Sequence, residues 1–184
     1  MLYNNGYLIK GLDDSQQTSP LNEYRGIEKF ISWPLDYEQD NISKELQQEA
    51  FDKWFSYQNV LEVVPEKEFL LKYVCHCQRL KIKTTILKVQ TFNDFPTAKT
   101  ELKVKEILGF DCIVGTQLSY LNLDPLYFKD KFPGLFSRLN SNRLFSTIQD
   151  AEQFISQYNK LVDSGENLEN CGLPVVALLS TVVL

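Results

Sequence analysis

Histidine is almost missing from this chain: of its 184 residues only His76 is one. Histidine is the side chain whose ordinary pKa lies nearest neutrality, so its scarcity removes most general acid–base and imidazole-metal arrangements. Glycine is sparse too, at 8 residues, and none builds a phosphate cradle. Gly109 and Gly115 lack the following Lys-Ser or Lys-Thr of a P-loop, and no dinucleotide fingerprint occurs. The longest apolar run, Leu173 to Leu184, falls short of the roughly 20 residues that span a bilayer, and it reads as a buried strand. The first residues show no basic segment leading into an apolar run, so no secretory signal is expected. A cytoplasmic setting with free thiols at Cys75, Cys77, Cys112 and Cys171 is expected instead. There is no internal repeat, low-complexity tract or Gly/Ser linker, and the length suits a single domain spanning 1–184.

What is present is a core and an uneven charge. Hydrophobic residues make up 43% of the chain and aromatics 12%, enough to fold around, and the formal net charge is -5. Residues 1–66 carry 5 basic and 12 acidic side chains, residues 67–145 carry 13 and 7, and residues 146–184 carry 1 and 5. An acidic balance repels phosphates, so neither nucleic acid nor an anionic membrane is expected as a partner. The lysines between Lys67 and Lys105 are spread over several elements, and Phe69 and Tyr73 belong to an apolar stripe rather than a stacking platform.

Periodicity supplies the elements. Tyr7–Leu12 predicts a strand, and Asn5-Gly6 a tight turn that pairs it with Leu2-Tyr3. Residues 26–34 are expected to be extended before Pro34. Asn41 caps a helix whose stripe is Ile42, Leu46, Ala50 and Trp54, with Trp33 and Trp54 as core anchors. Val60–Val64 is extended, and Pro65-Glu66 opens a second helix through Leu70, Val74 and Cys77. Lys83–Thr91 is a strand, Thr97–Leu108 a helix stopped by Gly109, and Phe110–Val114 and Ser119–Leu123 short strands. Leu126–Leu139 is helical around Pro133. Thr147 and Asp150 have capping-box spacing ahead of Ala151, Phe154, Ile155, Tyr158, Leu161 and Val162, and Ser164-Gly165 ends that helix. Val175–Leu184 is the last strand. Strands and helices mix without strict alternation, which predicts an α+β fold: a mixed or antiparallel sheet packed with three to five helices.

Chemical constellations are few. Cys75, His76 and Cys77 are consecutive, and on a helix they diverge by about 100° each, so they cannot converge on one ion. The two cysteines are expected to pack as small apolar groups and His76 to lie on the surface. No metal and no cofactor is expected. His76 would have to serve any cysteine or serine nucleophile, and adjacent side chains place it badly for Cys75 and Cys77. Asp36, Glu38 and Asp40 alternate, and on a strand they would share a face, as acid–base carboxylates or as a solvated row. The balance favours a protein that works by binding over one that works by catalysis.

The second half resembles a known family. Ile107-Leu-Gly-Phe-Asp111, then Leu118-Ser-Tyr-Leu121, then Leu139-Asn-Ser-Asn-Arg-Leu-Phe145 and the helix starting Asp150-Ala-Glu-Gln-Phe154 follow one another in an order similar to small immunity proteins of bacterial polymorphic-toxin systems. The resemblance covers residues 107–170 and implies a stoichiometric inhibitor that binds a cognate toxin domain. Nuclease toxins are commonly basic, which an acidic inhibitor would meet with electrostatic steering. The contacts expected are Asp36, Tyr37, Glu38 and Asp40, where carboxylates pair with Arg or Lys and the tyrosine ring adds area. Asp111 and Tyr120 enter through the resemblance alone; as parts of the fold they would cap a turn and pack in the core. The competing expectation is a non-catalytic protein-binding or scaffold domain unrelated to toxins.

Overall fold

The β-branched runs assemble into one antiparallel sheet. The computed structural model describes residues 1–12, 30, 31, 44–46, 48, 49, 52, 64, 66–92, 98, 100–113, 129–165 and 174–184. Strands β1 (Tyr3–Leu12), β2 (Phe30–Ile31), β3 (Thr84–Thr91), β4 (Lys103–Ile113) and β5 (Val175–Val183) lie in the order β2-β1-β3-β5-β4, with every neighbouring pair antiparallel. β2 has two residues, so four long strands carry the sheet. The closing apolar strand β5 lies inside it, between β3 and β4, and β4 is an edge among the described strands. Helices α1 (Lys67–Arg79), α2 (Pro133–Phe136) and α3 (Ile148–Asp163) accompany the sheet, so the fold is α+β. Residues 44–46, 48, 49 and 52 are also helical, with Leu46 buried as its stripe predicted.

Opposed residues of an antiparallel pair point to the same face, so the register sorts the side chains. Tyr7, Lys88, Ser180 and Ile107 form one row across the sheet, and Gln90, Leu178 and Phe110 the next on that face. Both long helices back this face. α1 inserts Phe69, Leu70, Tyr73, Val74 and Cys77 against Tyr7, Ile9, Ile86 and Val182. α3 packs Ala151, Phe154 and Tyr158 against Cys112, Phe132, Leu135 and Phe145, with Phe110 and Val176 alongside. Burying a ring such as Phe154 contributes about 1.5–3 kcal/mol. The opposite face holds Leu8, Leu87, Val89, Ala177 and Leu179, joined by Leu108, Ile113 and Leu144.

Local chemistry explains the helix ends. The Thr147 hydroxyl accepts the Asp150 N–H at 3.2 Å and donates to the Asp150 carboxylate at 2.7 Å, which caps α3. At the end of α1 the Ile82 N–H reaches Cys77 O at 2.9 Å and the Lys81 N–H reaches Gln78 O at 3.0 Å. That is the Schellman pattern, and it holds Lys81 at φ 60 while Ile82 packs back on the α1 core.

Three expectations are corrected. The Thr97–Leu108 helix is not formed over the described part of that stretch: residues 103–108 belong to strand β4, and Gly109 pairs with Leu179 just after a bulge rather than stopping a helix. Asn5-Gly6 does not turn the chain. β1 runs straight through it as one strand, with the extra residue taken up as a bulge between Asn4 and Gly6. His76 is buried, not on the surface, because the α1 stripe of Phe69, Tyr73 and Cys77 carries it inward, while neighbouring Cys75 is the exposed one. Asn41, Ile42, Trp33, Trp54 and residues 119–123 lie outside the described residues.

Candidate interaction surface

Of the contacts expected from the sequence, Asp36, Tyr37, Glu38, Asp40 and Tyr120 lie outside the described residues, as does Cys171. Asp111 is described, and it corrects its expectation. It sits in strand β4 opposite Ala177, fully buried, and its Oδ1 accepts the Cys112 N–H at 2.9 Å. A side chain enclosed in the sheet neither caps a turn nor offers a surface to a partner.

Two of the stretches that carry the family resemblance, 107–111 and 139–145, meet in space, and 118–121 lie outside the described residues. Phe110 and Phe145 exchange backbone hydrogen bonds at 2.8 and 2.9 Å, although 35 positions separate them. Asn140 ties the rest together: its Nδ2 donates to Leu108 O at 2.8 Å, and its Oδ1 accepts from the N–H groups of Asn142 at 2.8 Å and Leu144 at 3.2 Å. Gly109, at φ 138, lies beneath this loop. A Cβ there would stand 2.8 Å from Asn140 Nδ2 and Phe145 O and 2.9 Å from the Leu144 Cβ. The glycine and the asparagine are thus residues of a structural joint, which sets the outer side of β4 at Phe110.

A second polar group crosses the helix-backed face between the two apolar clusters. Lys88 is buried in the middle of β3, and its Nζ reaches Glu101 Oε1 at 2.9 Å. That contact holds Glu101 below the usual carboxylate range, through the hydrogen bond first and the lysine charge second. Beside it the Tyr7 hydroxyl donates to Thr100 O at 2.7 Å and accepts the Leu102 N–H at 2.9 Å, and the Ala98 N–H reaches Asn4 O at 2.7 Å. Together these bonds fasten the described residues between Ala98 and Leu102 onto β1 and β3. Glu101 itself is 73% exposed, so the pair is a clip at the surface, not an enclosed catalytic dyad.

Two of the thiols, Cys77 and Cys112, are buried and held protonated. Burial pushes the Cys77 thiol up to about 12. Burial, then the neighbouring Asp111 charge, raises Cys112 well above its ordinary range, and its Sγ donates to Ala151 O at 3.7 Å. Both stay protonated at neutral pH. Among the described residues no group of three or more His, Cys, Asp or Glu side chains is placed to hold a metal ion, and no helix is long and apolar enough to cross a membrane.

The corner made by the first half of β4 and the end of β5 is built differently. Ile107 is 63% exposed, Val183 51%, Leu184 41% and Val104 37%. Lys103, Lys105 and Glu106 are exposed among them. Sequence reasoning missed this surface because it placed the β4 residues in a helix within Thr97–Leu108, although it read Val175–Leu184 as a strand. Its signal, a lysine on either side of Val104, becomes readable once the strand is known. Comparison with family models, with curated proteins and with solved structures returns no match to this chain.

Proposed function

We propose that this protein works by binding another protein, as an immunity-type inhibitor that holds a cognate bacterial toxin domain stoichiometrically inside the producing cell. The observation that carries the binding reading is the edge strand β4, where the exposed aliphatic side chains Val104 and Ile107 face the same side of the sheet. Exposed aliphatic side chains on one face gain about 25 cal/mol for each Å² that a partner covers. The immunity type draws support from the joint at Gly109 and Asn140, because two separated stretches of the resemblance form one hydrogen-bonded unit. The raised Cys77 and Cys112 thiols weigh against a cysteine nucleophile at either position.

Capture from native lysate with the tagged full chain, at low and moderate salt, tests the reading. The expected result is one stoichiometric partner that is a toxin or a toxin fragment. Glu38→Lys and Asp40→Lys are expected to weaken the complex about tenfold, with the far-ultraviolet circular dichroism unchanged. A stoichiometric partner with no toxic activity would replace this reading by that of a scaffold domain. No partner at either salt would remove both.

A further inference from the structure

We propose that the outer edge of β4 from Lys103 to Ile107 takes up an extended segment of the partner as an added strand, and that this segment alternates aliphatic with acidic residues. The proposal rests on the protein-binding reading, but not on the partner being a toxin.

The backbone makes the case for a strand. Among the described residues β4 is the last strand of the sheet, with β5 on one side only, and residues 103–107 are exposed. On its outer side the described contacts are made by residues 140–145 and fall on Leu108 and Phe110, so the backbone before Leu108 meets none of the described residues there. An exposed edge with unpaired N–H and C=O groups is a template for an added strand, in which the main chain supplies affinity and alternate side chains supply specificity.

The side chains choose the occupant. Val104 lies opposite Val182 and Ile107 opposite Ser180, so both face the helix-backed side. Lys103 lies opposite Val183 and Glu106 opposite Thr181, on the other side. A strand laid along this edge meets aliphatic groups on one face and charge on the other, which calls for alternation in the strand itself. Lys103 and Lys105 outnumber Glu106, and none of the three makes an ion pair with the described residues. A carboxylate-bearing strand therefore gains where a lysine-bearing one is repelled. β4 also carries bulges between Val104 and Glu106 and between Ile107 and Gly109. Edge lysines and bulges discourage two flat copies of the same edge from pairing, which turns the choice away from self-association.

The test uses the full chain and a blocked nonapeptide of alternating Val and Glu, with a Val/Lys peptide as its counterpart. Amide hydrogen exchange is read by NMR across β4. The Val/Glu peptide is expected to slow exchange at residues 103–107 by about tenfold or more, and the Val/Lys peptide to leave it unchanged. Ile107→Glu should abolish that protection; since Ile107 is 63% exposed, the fold should tolerate it. If that variant does not fold, the exposed pair Lys103→Glu and Lys105→Glu serves instead. Unchanged exchange with millimolar Val/Glu peptide, or equal protection by both peptides, overturns the proposal. A native partner captured equally well by wild type and Ile107→Glu would also overturn it while leaving the binding reading intact. Peptide protection without any captured partner would uphold the edge and sink the reading.

Discussion

At the scale of the residue, Gly109 has the least room for a side chain among Gly109, Gly134 and Gly165. Its φ of 138 belongs to a region that side-chain-bearing residues rarely adopt, and three heavy atoms of the 140–145 loop occupy the space of a Cβ. Two of those atoms are a backbone carbonyl and the Cβ of buried Leu144, neither of which swings away as a flexible tip would. Gly109→Ala should therefore destabilise the fold by more than about 2 kcal/mol, through backbone strain and the clash together. Urea denaturation followed by tryptophan fluorescence measures it. A loss under about 0.5 kcal/mol, the scatter of ordinary surface substitutions, would mean that the loop does not bear on β4 as drawn.

At the scale of the element, the ends of helices were easier to read than the edges of the sheet. Thr147 and Asp150 announced the start of α3, and Val175–Val183 and Thr84–Thr91 announced strands through β-branched residues. The β4 error has a physical origin. The bulge between Val104 and Glu106 breaks the period of two, so Val104 and Ile107, three positions apart, end on the same face. Three is also helical spacing, and a following glycine reads as a helix stop. The same logic concealed β1, where Asn5-Gly6 has hairpin composition but absorbs a bulge. Neither bulge is local information, because each depends on the strand across from it. The joint between Gly109 and Asn140 was legible as two stretches but not as a contact. The aliphatic corner was not legible at all.

The α1 terminus offers a measurable consequence at this scale. Lys81 holds the left-handed position of the Schellman motif, where a side chain costs about 1 kcal/mol and glycine costs little. Its lysine side chain is exposed, so removing it sacrifices no packing. Lys81→Gly should therefore stabilise the protein by about 0.5–1 kcal/mol, offset in part by the freer unfolded chain. A shift of the urea midpoint upward with unchanged slope would confirm it; a downward shift would show that Lys81 makes a contact worth more than its strain.

At the scale of the whole molecule, the pieces outside the sheet are held to it by two kinds of force, and pH separates them. The apolar clusters of α1 and α3 do not titrate. The clips do: Lys88 with Glu101 ties the chain near Leu102 to β3, and Arg138 with Asp150 at 2.8 Å ties α3 to the residues after α2. Both carboxylates lie below their ordinary range, Asp150 through hydrogen bonds from Arg138 first and Thr147 second. A carboxylate with a depressed folded-state pKa adds stability that is fully present above its unfolded value of about 4, and that stability is lost as pH falls through the folded value. Glu101 is largely exposed, so screening keeps its share small, and the sign rather than the size is the prediction. Glu101→Gln should lower the urea midpoint at pH 7, and the difference from wild type should shrink as pH falls below about 4 and through the lowered range of Glu101. Lys88→Met should cost less than Glu101→Gln at neutral pH, because removing the carboxylate leaves a buried ammonium without its partner, whereas the methionine leaves none. If Lys88→Met proves the more damaging of the two, the buried lysine is held by something besides Glu101. If the Glu101→Gln difference does not shrink on acidification, the clip is not electrostatic.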